Sequence, residues 1–344
     1  MTDCDGASEL EAVYTEVAGL TGEERRQRLV ELAQEEGGTL SYYTTTPLDE
    51  SGPISEAFEN VTGISVELYR ADDRAVLQRI LQEAQANHQG GADVVSVPGP
   101  TMAILDREGH LLPLESPATQ DLISIGVFDN WATTYLLTYV AAWNENEISP
   151  EQAPASWEDV LTEYAGDLAM EGGDWEWFAT LVEEHFVGGE GMSEDEAIEL
   201  FREGARGARV VEGHTLMVEL TAGGEFSIAA SVYQDATQGL IEEGAPQAWQ
   251  PAVEPLVVKL TGIGIACDVS HPAAALLYTE YELTDGQELL AELGNTVANT
   301  TQGSGIPEDW EVLSVDLEMS DEERVEWENL YQEVIREAGG TVTG

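Results

Sequence analysis

Between residues 39 and 114 the chain alternates three times between a short β-rich run and an amphipathic helical run. A strand at 39–44 is followed by a helix near 53–62. A second strand, ISVELY at 64–69, leads into the helix DDRAVLQRILQEAQAN. A third, ADVVSV at 92–97, leads into a helix opened by Pro100 and closed by Gly109. Successive β-α units of this length can close only as a parallel sheet wound with helices. In such a sheet, ligands bind beyond the carboxyl ends of the strands, where helix starts offer free N–H groups and a partial positive charge. The three strand ends here read Tyr43-Thr44-Thr45-Thr46, Tyr69-Arg70 and Ser96-Val97-Pro98-Gly99. Hydroxyls, a guanidinium and a glycine-containing turn at these ends suit the rim of a polar pocket. The simpler alternative is that the threonines cap the next helix and that Arg70 pairs with Asp72 or Asp73.

The rest of the chain is less regular. A β-type run covers Thr133 to Trp143, and mixed helix and strand signals continue to about 256. An apolar strand pair, Leu256-Val257-Val258 and Ile263-Gly264-Ile265, precedes helices at 271–281 and 284–293, and a leading helix covers 21–36. Helix starts are marked by a hydroxyl three residues before an acid or amide: Thr21 with Glu24, Ser156 with Asp159, Ser193 with Glu196, Thr284 with Gln287 and Ser320 with Glu323. This is the capping-box spacing. Gly37, Gly109, Gly294 and Gly339 stand where helices end.

Charge narrows the possible partners. The 344 residues include 67 acids against 13 basic residues, a net charge of -54, and Lys259 is the sole lysine. The acids are spread through amphipathic segments, so the surface as a whole is acidic. Self-repulsion on that scale is screened within about 8 Å at physiological salt, and more tightly in strong salt. The composition therefore reads as adaptation to a high-salt environment. Nucleic acids and anionic membranes are poor partners for such a surface. With 42% hydrophobic residues the chain is long and apolar enough for two cores, and no apolar run approaches membrane-spanning length.

Catalytic motifs are missing. Thr261-Gly262-Ile263-Gly264 lacks the third glycine of a dinucleotide loop. His88, His110, His185, His214 and His271 show no zinc-enzyme spacing, and neither a nucleophile elbow nor a P-loop occurs. No cofactor and no enzymatic activity are expected. Aromatic residues beside polar ones are the positive signal. Gly172-Gly173-Asp174-Trp175-Glu176-Trp177 joins a glycine turn to two indoles and two carboxylates, and Tyr233-Gln234 ends the apolar strand SIAASVY. Such side chains suit ligand clefts. Each aromatic could instead simply close a core. Cys267, in an apolar run, reads as a buried, inert thiol. Cys4 lies in a Gly/Asp-rich tail and reads as a lipid-attachment candidate if a signal segment precedes it.

Several stretches, in this order and spacing, resemble the extracellular solute-binding proteins of ABC importers, in the group that includes the ferric-iron-binding proteins. They are LVELAQEEGGTLSYYTTTP, VELYRADDRAVLQRILQEAQANHQGGADVVSV, GHLLPLESP, SWEDVLTEYAGDLAME, GGEFSIAASVYQDATQGLIEEGAPQAW and HPAAALLYTEYELTDGQELLAE, spanning roughly 28 to 340. The resemblance implies a type II periplasmic-binding-protein fold. Two α/β lobes, each a mostly parallel sheet with helices on both faces, close on a ligand held between them. The expected division is a tail and leading helix at 1–36, lobe one at 37–134 plus 257–297, and lobe two at 135–256 plus 298–344. It also implies an extracellular or cell-surface, lipid-anchored monomer, with a small polar solute and an ABC permease as partners. The expected ligand-binding residues are Tyr43, Thr44, Thr45, Thr46, Arg70, Ser96, Pro98, Gly99, Asp174, Trp175, Tyr233 and Gln234. The solute is expected to be anionic, or else ferric iron. The iron-binding members use adjacent tyrosines near Val232-Tyr233; here the iron ligands would be Tyr233 with Asp174 or Glu176.

Overall fold

The computed structural model describes residues 4, 6–86, 90–302, 310–336, 338 and 340–342. His88 and Gly339 lie outside them. In chain order the strands are β1 Thr39–Thr44, β2 Ser65–Arg70, β3 Val94–Pro98, β4 Trp131–Asn144, β5 Leu168–Glu171, β6 Arg209–Val211, β7 Ile228–Tyr233, β8 Gln247–Ala248, β9 Leu256–Ile265, β10 Thr296–Val297, β11 Val312–Ser314 and β12 Gly340–Val342. The chain forms two compact units. The first is Met1–Leu136 with Leu260–Gly305, and the second is Leu137–Lys259 with Ile306–Gly344. Residues 298–302 thus belong with the first unit, where the Ala298 N–H donates to Thr134 O.

In the first unit β1 lies between β2 and β3, parallel to both, and β9 closes antiparallel on β3. Most residues of β1 and β3 are buried, as expected of central strands covered on both faces, and Leu40, Tyr42, Val94, Val95 and Val97 supply their apolar part. Tyr42, Phe58, Tyr278 and Tyr281 form one aromatic cluster beneath the sheet. Helix Gly22–Glu35 packs on helix Pro272–Glu282. The buried Arg25 guanidinium donates from Nε to both Glu280 carboxylate oxygens, at 2.8 and 3.1 Å.

The elements depart from the sequence reading in three places. The run 256–265 is one strand rather than a pair. Gly262 and Gly264 mark no break; a side chain at Gly262 would collide with the Trp131 ring and Met102, so the glycine lets β9 pass close to them. The helix placed near 53–62 begins at Leu48 and carries Pro53 in its second turn. The third departure concerns Cys4, which is not in a loose tail. Its neighbours form helix Ala7–Glu16, and Cys4 is disulfide-bonded to Cys267. That replaces both earlier readings: Cys267 is not a free thiol, and the Cys4 sulfur is not available for a lipid.

In the second unit β5 runs parallel to β6 and β7, β12 runs parallel to β6, and β7 pairs antiparallel with β4. Its core is aromatic. Trp157, Trp177, Phe178, Phe201 and Tyr331 are buried and meet largely edge to face. Trp177 therefore belongs to the core, while Trp175 is half-buried against it. Ser193 and Ser320 form complete capping boxes with Glu196 and Glu323. Thr21 and Thr284 make no such side-chain bond. No helix among the described residues is long and apolar enough to cross a membrane.

Candidate functional site

In each unit the parallel strands end on a common edge, and the chain turns there into a helix. In the first unit Thr44 is register partner to both Arg70 and Ser96, so the three form one row across the carboxyl ends. Helices Leu48–Thr62, Asp73–Gln85 and Gly99–Arg107 start just beyond. Much of the hydroxyl run serves the turn itself. Thr44 Oγ1 accepts the Thr46 N–H at 3.0 Å, and Thr46 Oγ1 lies 3.3 Å from the Tyr135 hydroxyl. Thr44, Thr46, Ser96 and Gly99 are buried, Thr45 and Pro98 are half-buried, and Arg70 is exposed. Asp72 and Asp73 are used elsewhere, on the Ala75 N–H and the Thr101 hydroxyl. Tyr43 does not join this row. Its hydroxyl donates to Glu83 at 3.0 Å, and Arg79 lies over both its ring and that of Tyr69. Strand alternation sends it to the face opposite Thr44.

The second unit carries the denser constellation. β5, β6 and β7 end at Glu171, Val211 and Tyr233, and helices Trp175–Thr180, His214–Ala222 and Gln234–Glu242 follow. Asp174, Gly213 and Tyr233 are the residues immediately before those helices. The Gly172-Gly173 turn is pinned from several sides. Glu171 Oε2 accepts the Gly173 N–H, and Oε1 accepts the Gly213 N–H at 3.0 Å. Tyr331 donates to Glu171 O at 2.6 Å, and Gln332 Nε2 donates to Gly172 O at 2.7 Å. Gly213 has φ of 102°, a left-handed value that favours glycine, and it delivers His214 to the first position of its helix.

His214 Nε2 lies 3.0 and 3.1 Å from the two Asp174 carboxylate oxygens. An ionised carboxylate only accepts, so Nε2 carries the proton. Burial lowers the His214 pKa, but the Asp174 bond and charge outweigh it and hold it above its ordinary value. The Tyr233 ring stacks on the imidazole with centroids 3.8 Å apart. Tyr139, its cross-strand partner on β4, lies 5.3 Å away. Burial, and then the Asp174 charge, push the Tyr233 phenol well up. Glu176 is ion-paired with Lys259. Gln234 is half-buried at the start of its helix.

Asp174 and Tyr233 were thus identified from sequence and are brought together. Glu171, His214, Tyr139 and Lys259 were not assigned to the site. His214 was dismissed because no second histidine stood at a metal-binding interval; its partners come instead from a loop some forty residues earlier. Glu171, Asp174 and His214 each offer a ligand atom, all within 4.8 Å of one another.

No family model and no curated protein sequence matches the chain. Solved structures do. Iron-bound HitA from Pseudomonas aeruginosa superposes with a TM-score of 0.65 at 18% identity, covering 86% of this chain and 99% of that one. AfuA from Actinobacillus pleuropneumoniae, with fructose-6-phosphate bound, gives 0.66 at 18%, covering 87% and 99%. The spermidine/putrescine ABC transporter substrate-binding protein PotD from Streptococcus pneumoniae gives 0.70 at 15%, covering 88% and 99%. At these identities the likeness defines architecture: the chain has the two-unit α/β fold of the periplasmic substrate-binding proteins of ABC transporters.

Proposed function

We propose that this chain is the extracellular solute-binding component of an ABC importer, capturing a small polar solute and handing it unchanged to a membrane permease. The observation that carries this reading is the convergence of Asp174, His214 and Tyr233 where three strands of one parallel sheet give way to helices. Pre-positioned polar and aromatic groups at that edge suit ligand capture. No nucleophile-base pair of the kind that would start a covalent reaction was found in the sequence. The neighbouring folds named above carry iron or a sugar phosphate, or belong to a polyamine transporter, so the scaffold accommodates small polar cargo. The Cys4–Cys267 pair supports an oxidising compartment, where disulfides persist.

Exposed Arg70, in the row with Thr44 and Ser96, favours an anionic group on the solute. A thermal-shift screen of phosphorylated metabolites, phosphonates, carboxylates and amines in strong salt tests this. A solute at 100 times its Kd adds about 2.7 kcal/mol of stability. Arg70→Ala is expected to weaken an anionic hit by about 1.5–3 kcal/mol, the range for a hydrogen bond to a charged group. Recovery of a chemically altered solute would reject the binding-protein reading in favour of an enzyme on the same scaffold.

A further inference from the structure

We propose that Glu171, Asp174 and His214 form a binding site for one divalent transition-metal ion of the zinc type. This goes beyond the solute-binding reading and does not depend on it. The three donors come from two segments, 171–174 at the end of β5 and 212–214 after β6; the parallel pairing of those strands sets them side by side, and the Gly213 N–H bond to Glu171 ties them together. All three ligand atoms lie within 4.8 Å of one another. Zinc binds imidazole nitrogen and carboxylate oxygen at about 2.0–2.2 Å, so in its tetrahedral geometry two ligand atoms of one ion stand about 3.3–3.6 Å apart. Side-chain adjustments of about one ångström close the gap.

Charge argues for a cation. Glu171 and Asp174 are 8% and 4% exposed, and the only cationic partner inside the triad is one imidazole. Buried charges are normally paired or bound to metal. In the metal-binding form two carboxylates and a neutral imidazole carry two negative charges, which one divalent ion on Nε2 offsets, the Nε2 proton leaving to solvent. The donors also have capacity to spare. Each Glu171 oxygen accepts a single backbone N–H, and each carboxylate oxygen offers two lone pairs. Those N–H bonds orient the carboxylate as outer-shell partners orient ligands in metal sites. One nitrogen and two oxygens, with no thiolate, suit zinc, cobalt, manganese or ferrous iron over copper(I), and the imidazole disfavours magnesium and calcium. Three protein ligands leave a fourth position for water or an oxygen of another molecule.

The test titrates chelator-stripped protein with zinc chloride in strong salt, by calorimetry. One tight site per chain is expected, weakened at least about tenfold in Asp174→Asn and in His214→Gln. Glu183→Gln with Glu323→Gln, in an acid-rich depression elsewhere in the same unit, should leave that site unchanged. Cobalt(II) on the wild-type protein gives a second readout that needs no variant to fold: visible bands and a paramagnetically shifted histidine ring proton are expected. Zinc binding at several weak sites, insensitive to Asp174 and His214, would mean adsorption to an acidic surface and would overturn the proposal. So would cobalt binding with no shifted histidine resonance. A ferric complex whose colour is lost in Tyr233→Phe but retained in His214→Gln would replace the triad by a phenolate site. Solute binding is measured separately, with zinc present and absent, so failure of either reading is seen on its own.

Discussion

The Tyr233 ring lies nearly flat on His214, 3.8 Å between centroids and 18° between planes, although nineteen residues separate them along the chain. The contact ties the end of β7 to the start of the helix after β6. A stacked pair of this kind is worth about 0.5–1.5 kcal/mol beyond its buried area. Tyr233→Phe keeps the stack and is expected to cost under about 1 kcal/mol of stability, the scale of one net hydrogen bond. Tyr233→Ala removes the ring and is expected to cost about 2–4 kcal/mol, since it also leaves a cavity. Denaturant melts of the two variants check this. Equal stabilities would show that the ring contact carries nothing.

A second prediction concerns pH. Glu282 is 3% exposed beneath the first unit's sheet, and burial raises its pKa from 4.5 to about 7, although the Tyr278 and Tyr42 hydroxyls beside it pull the other way. Between roughly pH 4.5 and 7 the folded chain keeps a proton that the unfolded chain has lost. This contribution to stability is therefore fully present below pH 4.5 and is lost as pH rises through about 7. A shift of about 2.5 units corresponds to on the order of 3 kcal/mol. Glu282→Gln should flatten that part of the stability curve and be the more stable protein at pH 8. His271, raised mainly by its bond to Asp93, also favours lower pH, so the comparison of variant with wild type isolates Glu282. Parallel pH curves for the two proteins would refute the assignment.

Local chemistry was legible in the sequence, and register was not. Ser193-Glu196 and Ser320-Glu323 were readable because a capping box lies within four residues. The β-α alternation around β1, β2 and β3 was readable because periodicity switches at each boundary. Asp174 and Tyr233 stood out beside glycines and aromatics. Glu171 and His214 did not, because their meeting depends on the pairing of β5 with β6, four and three residues long, too short to show a period. The single strand 256–265 was read as a pair for a related reason: the close approach of Trp131 that calls for Gly262 is invisible in one dimension. The Cys4–Cys267 bond spans 263 residues, and spacing says nothing about pairing at that distance.

That bond gives a third prediction. It fastens the segment before helix Ala7–Glu16 to the end of the β9 region, where the Gly6 N–H also donates to Cys267 O at 3.2 Å. Closing so long a loop restricts the unfolded chain strongly, and removal of a native disulfide typically costs about 2–5 kcal/mol. Cys4→Ser with Cys267→Ser should melt lower than wild type, and a reductant should lower wild type toward the double variant while leaving the variant unmoved. Thiol titration of unreduced, unfolded protein should find no free cysteine. Two free thiols would remove the bond and restore Cys4 as a reactive sulfur.

The last prediction concerns salt. A net charge of -54 spread over the surface repels itself, and Lys259, the one lysine, is already committed to Glu176. The Debye length shrinks from about 30 Å at 0.01 M to about 3 Å at 1 M ionic strength. Charges that act on one another across the protein in dilute buffer are therefore nearly independent in molar salt. The melting temperature is expected to rise steeply through the lower part of that range and then level off, equally in sodium and potassium chloride. Screening is distinguished from solute exclusion by that shape and by anion identity, because exclusion by sulfate or phosphate keeps stabilising beyond the range where screening is complete. A control variant with several exposed glutamates on helix Asp321–Ile335 changed to glutamine should need less salt to reach the same melting temperature. A melting temperature flat from 0.01 to 1 M would mean that the acidic surface does not limit folding, and the reading of the composition as salt adaptation would fall with it.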